Sequence, residues 1–247
     1  MPWAGLRLSV TLLTAIPLPG RRDAPGRLTI AAAMYWAPVV GLGVGAACAA
    51  VLLLTPAAGP LLASALAVAA GALLTRALHL DGLADFADGL GSARPAEQAL
   101  EIMKRSDVGP FGVVTLVFVL LIQVSALARA DTLGRGPIAI IAAAVTARLA
   151  ITLACRRGVP AARPGGLGAM VAGTVHPAAG AVLAAAAVAG AAIAGGWQLA
   201  AGVGAGLAVS LVLTALAIRR LGGITGDVLG ALAEIAATAC LLVTALR

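Results

Sequence analysis

The sequence is poor in charged residues. Asp, Glu, Lys and Arg make up only 11% of its 247 residues, whereas an average soluble domain has about 25%. A water-soluble surface cannot be built from so few charges, so ordinary cytosolic enzymes, disordered chains and nucleic-acid-binding domains are excluded. The 61% of hydrophobic residues and a mean hydropathy of +1.04 instead predict an integral membrane protein.

Cysteine and histidine are also scarce. Cys48, Cys155 and Cys240 stand singly in apolar runs, and such an odd, scattered set indicates neither a disulfide framework nor a zinc site. His79 and His176 are lone histidines, for which a structural role is the more ordinary interpretation. No cysteine or serine nucleophile is evident.

Apolar segments long enough to cross a bilayer recur along the chain. A spanning helix needs about 20 mostly apolar residues, and seven segments meet this requirement. Their approximate ranges are 29–54, 61–80, 110–128, 137–155, 178–196, 198–218 and 228–246. The sequence therefore predicts an all-α, polytopic integral membrane helical bundle of about seven transmembrane helices. We expect residues 1–247 to form a single membrane-embedded catalytic domain.

The N-terminal apolar segment is too short to be one of these spans. It covers residues 6–16 and ends at Pro17 and Pro19. A signal peptide is the alternative, but Arg7 is its single basic residue and no Ala-x-Ala-like cleavage site follows. We therefore expect a short interfacial or re-entrant segment.

Basic residues are distributed unevenly between the two sides of the predicted bundle. Most of the 17 Lys and Arg residues fall in the N-terminal segment and the odd-numbered loops, and only Arg129, Arg135 and Arg247 fall on the other side. The positive-inside rule places the basic side in the cytoplasm. Most carboxylates lie on this same side, so we expect the active face to be cytoplasmic.

The strongest local signal is the run from His79 to Gly89. It contains Asp81, Asp85 and Asp88, which share one helix face at about 100° per residue. Three carboxylates on one face repel each other and are unfavourable near a membrane. Oxygen ligands at this spacing suit Mg²⁺, which takes one or two carboxylates and completes its shell with water and phosphate. The run therefore predicts a metal site, against the alternative of an ordinary solvated helix end.

Basic and glycine-rich segments accompany the acidic run. Arg94, Lys104 and Arg105 lie in the loop that follows it, where cations fit a bound polyphosphate or simply obey the positive-inside rule. A later loop contains Gly166 and Gly168. Its backbone N–H groups could cradle phosphate, although a flexible linker explains the loop nearly as well.

The last motif combines Thr225 and Asp227 with Glu234. Asp227 and Glu234 are seven residues apart and so share a helix face. A glutamate inside a membrane span is a functional candidate by default. The alternative is a structural pair with Arg148 or Arg76.

In combination and order, these motifs resemble those of the cobalamin synthase family, the adenosylcobinamide-GDP ribazoletransferases. The resemblance covers residues 14–19, 79–89, 101–112, 166–173 and 221–234. One departure is Arg105-Ser106-Asp107, where the acidic and basic residues are swapped relative to the family's usual order. The roles of these two charged residues therefore cannot be carried over individually.

The resemblance implies a Mg²⁺-dependent transferase. It would join adenosylcobinamide-GDP to α-ribazole or α-ribazole 5′-phosphate, giving adenosylcobalamin or its 5′-phosphate with release of GMP. The catalytic and metal-binding residues would be Asp81, Asp85, Asp88 and Asp227, with Mg²⁺ bridging the pyrophosphate and stabilising the departing GMP. Asp88 and Asp227 are both candidates for the base that an acceptor hydroxyl would need.

The resemblance also implies substrate contacts and a location. The substrate-binding residues would be Arg94, Lys104, Arg105, Ser106, Gly166, Gly168, Thr225 and Glu234. A multi-pass protein of the bacterial cytoplasmic (inner) membrane is implied, with its active site on the cytoplasmic side. Its partners would be the two substrates and the lipid bilayer, without nucleic acid. The oligomeric state stays open, a homo-oligomer included.

Two other functions remain open on the sequence alone. CDP-alcohol phosphotransferases also use membrane-embedded aspartates to displace a nucleotide, but the Ala-Arg pair of their signature is missing after Asp81-Gly82. A polytopic small-molecule transporter would suit seven glycine-rich spans. Against it, the acids gather at one face instead of near the membrane midplane.

Overall fold

A computed structural model describes residues 2–19 and 24–246, and these residues form helices and loops without a strand. The predicted all-α class is confirmed. In order, the helices are α1 (Pro2–Leu13), α2 (Arg27–Leu54), α3 (Gly59–Leu74), α4 (Leu78–Gly91), α5 (Ala96–Ile102), α6 (Pro110–Thr132), α7 (Gly136–Ala154), α8 (Gly166–Val171), α9 (Pro177–Leu221) and α10 (Gly226–Ala245). A short 3-10 turn, Pro56–Ala58, leads into α3.

Six helical segments are long and apolar enough to cross a membrane. They are Arg27–Leu54, Pro56–Leu74, Pro110–Thr132, Gly136–Ala154, Pro177–Leu221 and Gly226–Ala245. Backbone polar groups in hydrocarbon must be satisfied within the segment, which a helix achieves. The chain is therefore a multi-pass membrane protein.

The longest of these helices, α9, crosses the bundle twice. As a continuous helix its 45 residues would extend about 68 Å, roughly twice the hydrocarbon core of a bilayer. Gly195 and Gly196 break it, and Gly196 has a φ of 74°. Val175 before α9 and Ile224 after it both hydrogen-bond to the loop that follows α7, so the two ends of α9 lie at the same face. The six segments therefore make seven crossings. The turn within α9 lies within two residues of the predicted boundary between the fifth and sixth spans.

The second predicted span ends earlier than the sequence indicated. Residues 61–80 were expected to form one helix, but α3 ends at Leu74 and a separate helix begins at Leu78. Arg76 and Ala77 adopt positive φ angles of 53° and 54°, which interrupt the helix. The hydroxyl of Thr75 donates to the carbonyl oxygen of Gly71 at 3.0 Å and closes the last turn of α3. Arg76 is consequently exposed in a turn and does not lie in a span.

The N-terminal helix lies along α2. Its 12 residues extend about 18 Å, too short to cross a bilayer core of about 30 Å. Gly5 of α1 packs against Ala32 of α2, and the N–H of Ala15 donates to the carbonyl oxygen of Leu74 at 2.6 Å. This arrangement agrees with the expected interfacial or re-entrant segment.

Helix α7 is the centre of the bundle. In its apolar window 78% of the residues are buried, more than in any other candidate span. A Cβ atom at Gly41 of α2 would lie 2.5 Å from the carbonyl oxygen of Ala144, and one at Gly45 would lie 2.7 Å from Cα of Ile141. In a membrane, where lipid is as apolar as leucine, such close backbone packing drives helix association.

The turn within α9 predicts opposite labelling of two engineered cysteines. Trp197 follows the break and is 74% exposed, whereas Arg220 is exposed at the end of α9. We expect Trp197→Cys and Arg220→Cys to react with a membrane-impermeant maleimide from opposite sides of the membrane. The parent chain is the control, since its three cysteines are buried. Labelling of both positions from the same side would contradict two crossings by α9.

Candidate active site

A cavity of about 330 Å³ lies where several helices meet. Charged residues mark its mouth: Asp81, which is exposed, and Asp227 and Arg163, which are partly buried. Glycines, His79 and Thr225 form part of the remaining wall. Buried apolar side chains from five helices and a loop also line it, namely Leu13, Met34, Ile151, Val171, Leu229 and Ile224. The cavity thus combines a charged mouth with an apolar interior.

The aspartates of the first and last motifs meet because α4 and α10 pack backbone to backbone. A Cβ atom at Gly82 would lie 2.8 Å from the carbonyl oxygen of Asp227. A Cβ atom at Gly230 would lie 3.0 Å from the carbonyl oxygen of His79. A residue with a side chain would not fit at Gly82, and one at Gly230 would be crowded. The glycines next to the aspartates therefore bring together two motifs that are far apart in the sequence.

The electrostatics of Asp85 indicate a concentration of negative charge. Partial burial and then the neighbouring carboxylates Asp81, Asp227 and Asp88 raise its pKa from 3.8 to about 7, while Arg163 opposes the shift. Carboxylates that repel each other in this way are the donor set that a hard divalent cation favours. The chemistry of Asp81, Asp85 and Asp227 therefore fits Mg²⁺. Among the described residues, however, no three His, Cys, Asp or Glu side chains are arranged to hold an ion.

Asp88 differs from the other three aspartates because both of its oxygens already have partners. Oδ2 accepts from the N–H of Gly109 at 2.7 Å, and Oδ1 accepts from the N–H of Gly112 at 2.9 Å. These donors belong to the first N–H groups of α6, which have no partner within the helix, and a carboxylate there also interacts favourably with the helix dipole. A Cβ atom at either glycine would approach Asp88 to 2.5 Å. Asp88 thus joins α4 to α6, a role that the sequence did not indicate.

The cation at the cavity mouth is one that the sequence analysis did not select. Arg163 lines the cavity, and its Nη2 donates to the carbonyl oxygen of Leu100. Its charge is close enough to Asp85 to oppose the rise of that pKa. The only available indication in the sequence was its place at the start of the glycine-rich loop.

The basic and polar residues predicted to bind substrate in the loop after α4 do not line this cavity. Arg94, Lys104, Arg105 and Ser106 are all exposed. Nζ of Lys104 forms an ion pair with Oε1 of Glu101 at 2.5 Å. Their assignment to substrate stays a prediction that the geometry of the cavity does not explain.

Three other predicted substrate-binding residues do line the cavity, namely Gly166, Gly168 and Thr225. Gly166 begins α8 with a φ of 83°, and a Cβ atom at Gly168 would lie 2.5 Å from the carbonyl oxygen of Ile224. The hydroxyl of Thr225 accepts from the N–H of Val228 at 3.2 Å and donates to Oδ2 of Asp227 at 3.1 Å. Thr225 therefore caps the N-terminus of α10 and orients Asp227.

Glu234 lies in a second, smaller cavity of about 70 Å³ within the bundle. Nε2 of Gln123 donates to Oε2 of Glu234 at 2.9 Å and to the Thr238 hydroxyl at 3.0 Å. Arg148, only 6% exposed, lines the same cavity. The side chain of Glu234 is thus held by Gln123, no ion pair with Arg148 forms within the described part of the chain, and Glu234 does not line the larger cavity.

The two histidines have different surroundings. His79 lines both cavities, and its Nε2 has no hydrogen-bond partner among the described residues. Burial, followed by the charge of Arg148, lowers the pKa of His79 to about 3, so its ring is neutral. His176 caps the N-terminus of α9, where its Nδ1 accepts from the N–H of Ala178 at 3.3 Å. This structural role of His176 agrees with the expectation.

Comparison with known proteins follows the same motifs. The family model described as cobalamin-5-phosphate synthase matches residues 5–245. The chain belongs to this family. It is 45% identical to the adenosylcobinamide-GDP ribazoletransferase of Frankia casuarinae, over 97% of this chain and 94% of the relative. A Nocardioides protein of the same name is 42% identical, over 98% of both chains.

Family membership makes the chain an enzyme, a transferase of cobalamin biosynthesis. A third relative with the same name, from Chlorobaculum tepidum, is 41% identical over 98% of this chain and 95% of its own length. No solved structure matches the chain. Between the functions left open by the sequence, the comparisons favour the transferase over a CDP-alcohol phosphotransferase or a transporter.

The contacts of Asp88 predict that its loss is mainly structural. In Asp88→Asn, one of the two N–H donors at the start of α6 would face an amide N–H₂ group. We expect a decrease of about 1–3 kcal/mol in the free energy of unfolding, visible as a lower thermal unfolding temperature in detergent.

Asp81→Asn is the matched control for this variant. Asp81 is exposed at the cavity mouth among other carboxylates, so removal of its charge relieves repulsion. We expect its unfolding temperature to stay the same or rise. Equal destabilisation by both substitutions would contradict the distinction between the two aspartates.

Proposed function

We propose that this chain joins adenosylcobinamide-GDP to α-ribazole, or to α-ribazole 5′-phosphate, with release of GMP and with Mg²⁺ as cofactor. The observation that carries the proposal is the cavity whose mouth holds Asp81, Asp227 and Arg163. The name shared by the relatives supplies the substrates, and the cavity supplies groups suited to phosphoryl transfer. Such transfer depends on positioning and charge neutralisation more than on covalent catalysis.

Asp81, Asp85 and Asp227 are the residues we propose to hold Mg²⁺. The ion would neutralise charge on the pyrophosphate and on the leaving GMP. Asp88 is a weaker candidate ligand than its neighbours, because both oxygens accept hydrogen bonds from the backbone of α6.

The acceptor hydroxyl attacks the phosphorus that remains with the corrinoid. A new P–O bond to the acceptor forms, the P–O bond to GMP breaks, and the hydroxyl proton leaves to a base. Of the two predicted bases we favour Asp227, because Thr225 orients its carboxylate at the cavity mouth. Asp88 is tied to the start of α6. Arg163 would bind the phosphoryl oxygens and offset the negative charge that develops on them.

We further propose that the reaction takes place on the cytoplasmic side of the bacterial inner membrane. The cavity mouth lies at the face that carries Arg156, Arg157, Arg219 and Arg220, which are among the basic residues of the predicted cytoplasmic side. Cytoplasmic loops carry an excess of Lys and Arg. A nucleotide-bearing substrate would reach the mouth from that side.

The metal and the reaction are tested with purified protein in liposomes. We expect cobalamin, or its 5′-phosphate, and GMP to appear together when both substrates and Mg²⁺ are supplied, and neither to appear with EDTA. Asp85→Asn should lower kcat/KM by about 100-fold or more, while the exposed Glu97→Gln is the control that keeps wild-type activity. Full activity of Asp85→Asn would exclude Asp85 from the metal site. Failure of correctly inserted wild-type protein to form product would contradict the proposed function.

The role of Arg163 is tested by comparing it with a basic residue at another position. We expect Arg163→Gln to lower kcat/KM by about 100-fold, because a cation that stabilises developing charge is lost, and Arg163→Lys to recover part of this loss. Arg129→Gln, at the exposed end of α6, is the control. If Arg163→Gln were active and Lys104→Gln inactive, the phosphate-binding cation would lie in the loop after α4 instead.

A further inference from the structure

We infer that the apolar part of the larger cavity binds the aromatic base of the acceptor nucleoside, with the sugar at the charged mouth. This assignment rests on the proposed function and identifies which substrate the cavity accepts. The substrates differ greatly in size and polarity. One is a corrinoid linked to a guanine nucleotide, and the other is a nucleoside with an uncharged, methylated bicyclic base.

The volume of the cavity fits only a small part of the reactants. Its 330 Å³ lies near the lower end of the range for ligand pockets, about 300–1,000 Å³. A corrinoid ring with its side chains is far larger than this. The choice is therefore between the acceptor nucleoside and the guanosine of the donor.

The chemistry of the wall favours the acceptor. Leu13, Met34, Ile151 and Val171 are each at most 4% exposed and offer only apolar atoms. Guanine carries several donors and acceptors that would lose their water partners against such a wall, and an unpartnered buried polar group is unfavourable. A dimethylbenzimidazole base exposes mainly carbon atoms and one unsubstituted ring nitrogen. These apolar side chains thus match this base better than guanine.

The position of the charged residues sets the orientation of the acceptor. Asp227 and Arg163 mark the mouth, and the base enters the apolar part beyond them. The sugar hydroxyls then lie at the mouth, beside Asp227 as base and Arg163 as phosphoryl ligand. The donor is left to approach from outside the cavity, where its large corrinoid meets no limit of volume.

The inference is tested by changing the space that the base occupies. Leu13→Phe narrows the cavity, and Leu52→Phe is the matched control, because Leu52 is 3% exposed against 4% for Leu13 and does not line the cavity. Two acceptors are compared, α-ribazole and the riboside of unmethylated benzimidazole. A methyl group in an apolar pocket changes kcat/KM by about 10–200-fold. The quantity compared is kcat/KM for α-ribazole divided by kcat/KM for the riboside of benzimidazole. We expect Leu13→Phe to lower this ratio at least about 10-fold, in favour of the smaller acceptor. The KM for adenosylcobinamide-GDP should stay unchanged.

A variant that only loosens the fold would lower kcat/KM for both acceptors equally, so this ratio separates a contact from a structural effect. Should Leu13→Phe fail to fold, Leu13→Ala serves instead, with the opposite expectation of improved use of a riboside with a larger, tricyclic base. An unchanged acceptor ratio, or a raised KM for adenosylcobinamide-GDP alone, would overturn the assignment.

Failure of the proposed function has a different signature. Wild-type protein would then form no product with any acceptor. In that case equilibrium dialysis with α-ribazole tests the cavity directly. The assignment is supported if wild type and the Leu52→Phe control bind α-ribazole and if Leu13→Phe weakens this binding at least about 10-fold. Equal binding by all three proteins would overturn it.

Discussion

The candidate active site depends on the close packing of α4 against α10. Gly82 allows the two backbones to approach so closely that a side chain there would collide with α10, and a side chain at Gly230 would be crowded against α4. Burial raises the pKa of Asp85 to about 7 together with its neighbouring carboxylates, and through this contact they include Asp227, more than a hundred residues away in sequence. The repulsion among these carboxylates opposes the packing of α4 against α10. This repulsion is offset by the backbone contact, by the capping of α6 by Asp88 and by the nearby Arg163. A bound divalent cation would relieve it further.

The sequence predicts the membrane architecture well because hydrophobicity and length are local properties. Seven crossings follow from the apolar segments, and even the turn of α9 at Gly195 and Gly196 lies beside its predicted position. The predicted end of α3 was wrong because no proline or glycine interrupts the sequence at the point where the helix ends. The interruption comes from Arg76 and Ala77 in positive φ, a conformation that tertiary packing imposes on residues without such a preference.

The site was predictable only as far as its motifs are contiguous. The aspartate run and the final glycine-rich motif could be selected from spacing and from the family resemblance. Arg163 could not, because its importance comes from the fold, which places a loop residue beside Asp81 and Asp227. Helix periodicity placed Asp88 correctly on one face with Asp81 and Asp85. Periodicity cannot tell whether a carboxylate faces a cavity or the N–H groups of another helix, and Asp88 does the latter.

The buried polar cluster around Glu234 has a role consistent with its distance from the cavity mouth. Buried polar and ionic groups rarely stabilise a fold more than apolar packing would, and their best-attested use is to fix the arrangement of helices. Asp227 and Glu234 lie two turns apart on the same face of α10, and Gln123 of α6 hydrogen-bonds to Glu234. A rotation of α10 that moved Asp227 away from α4 would also break this bond and expose Glu234 to surroundings without a partner. The intramembrane cluster thereby fixes the rotation of the helix that carries Asp227, although none of its hydrogen bonds lies at the cavity mouth.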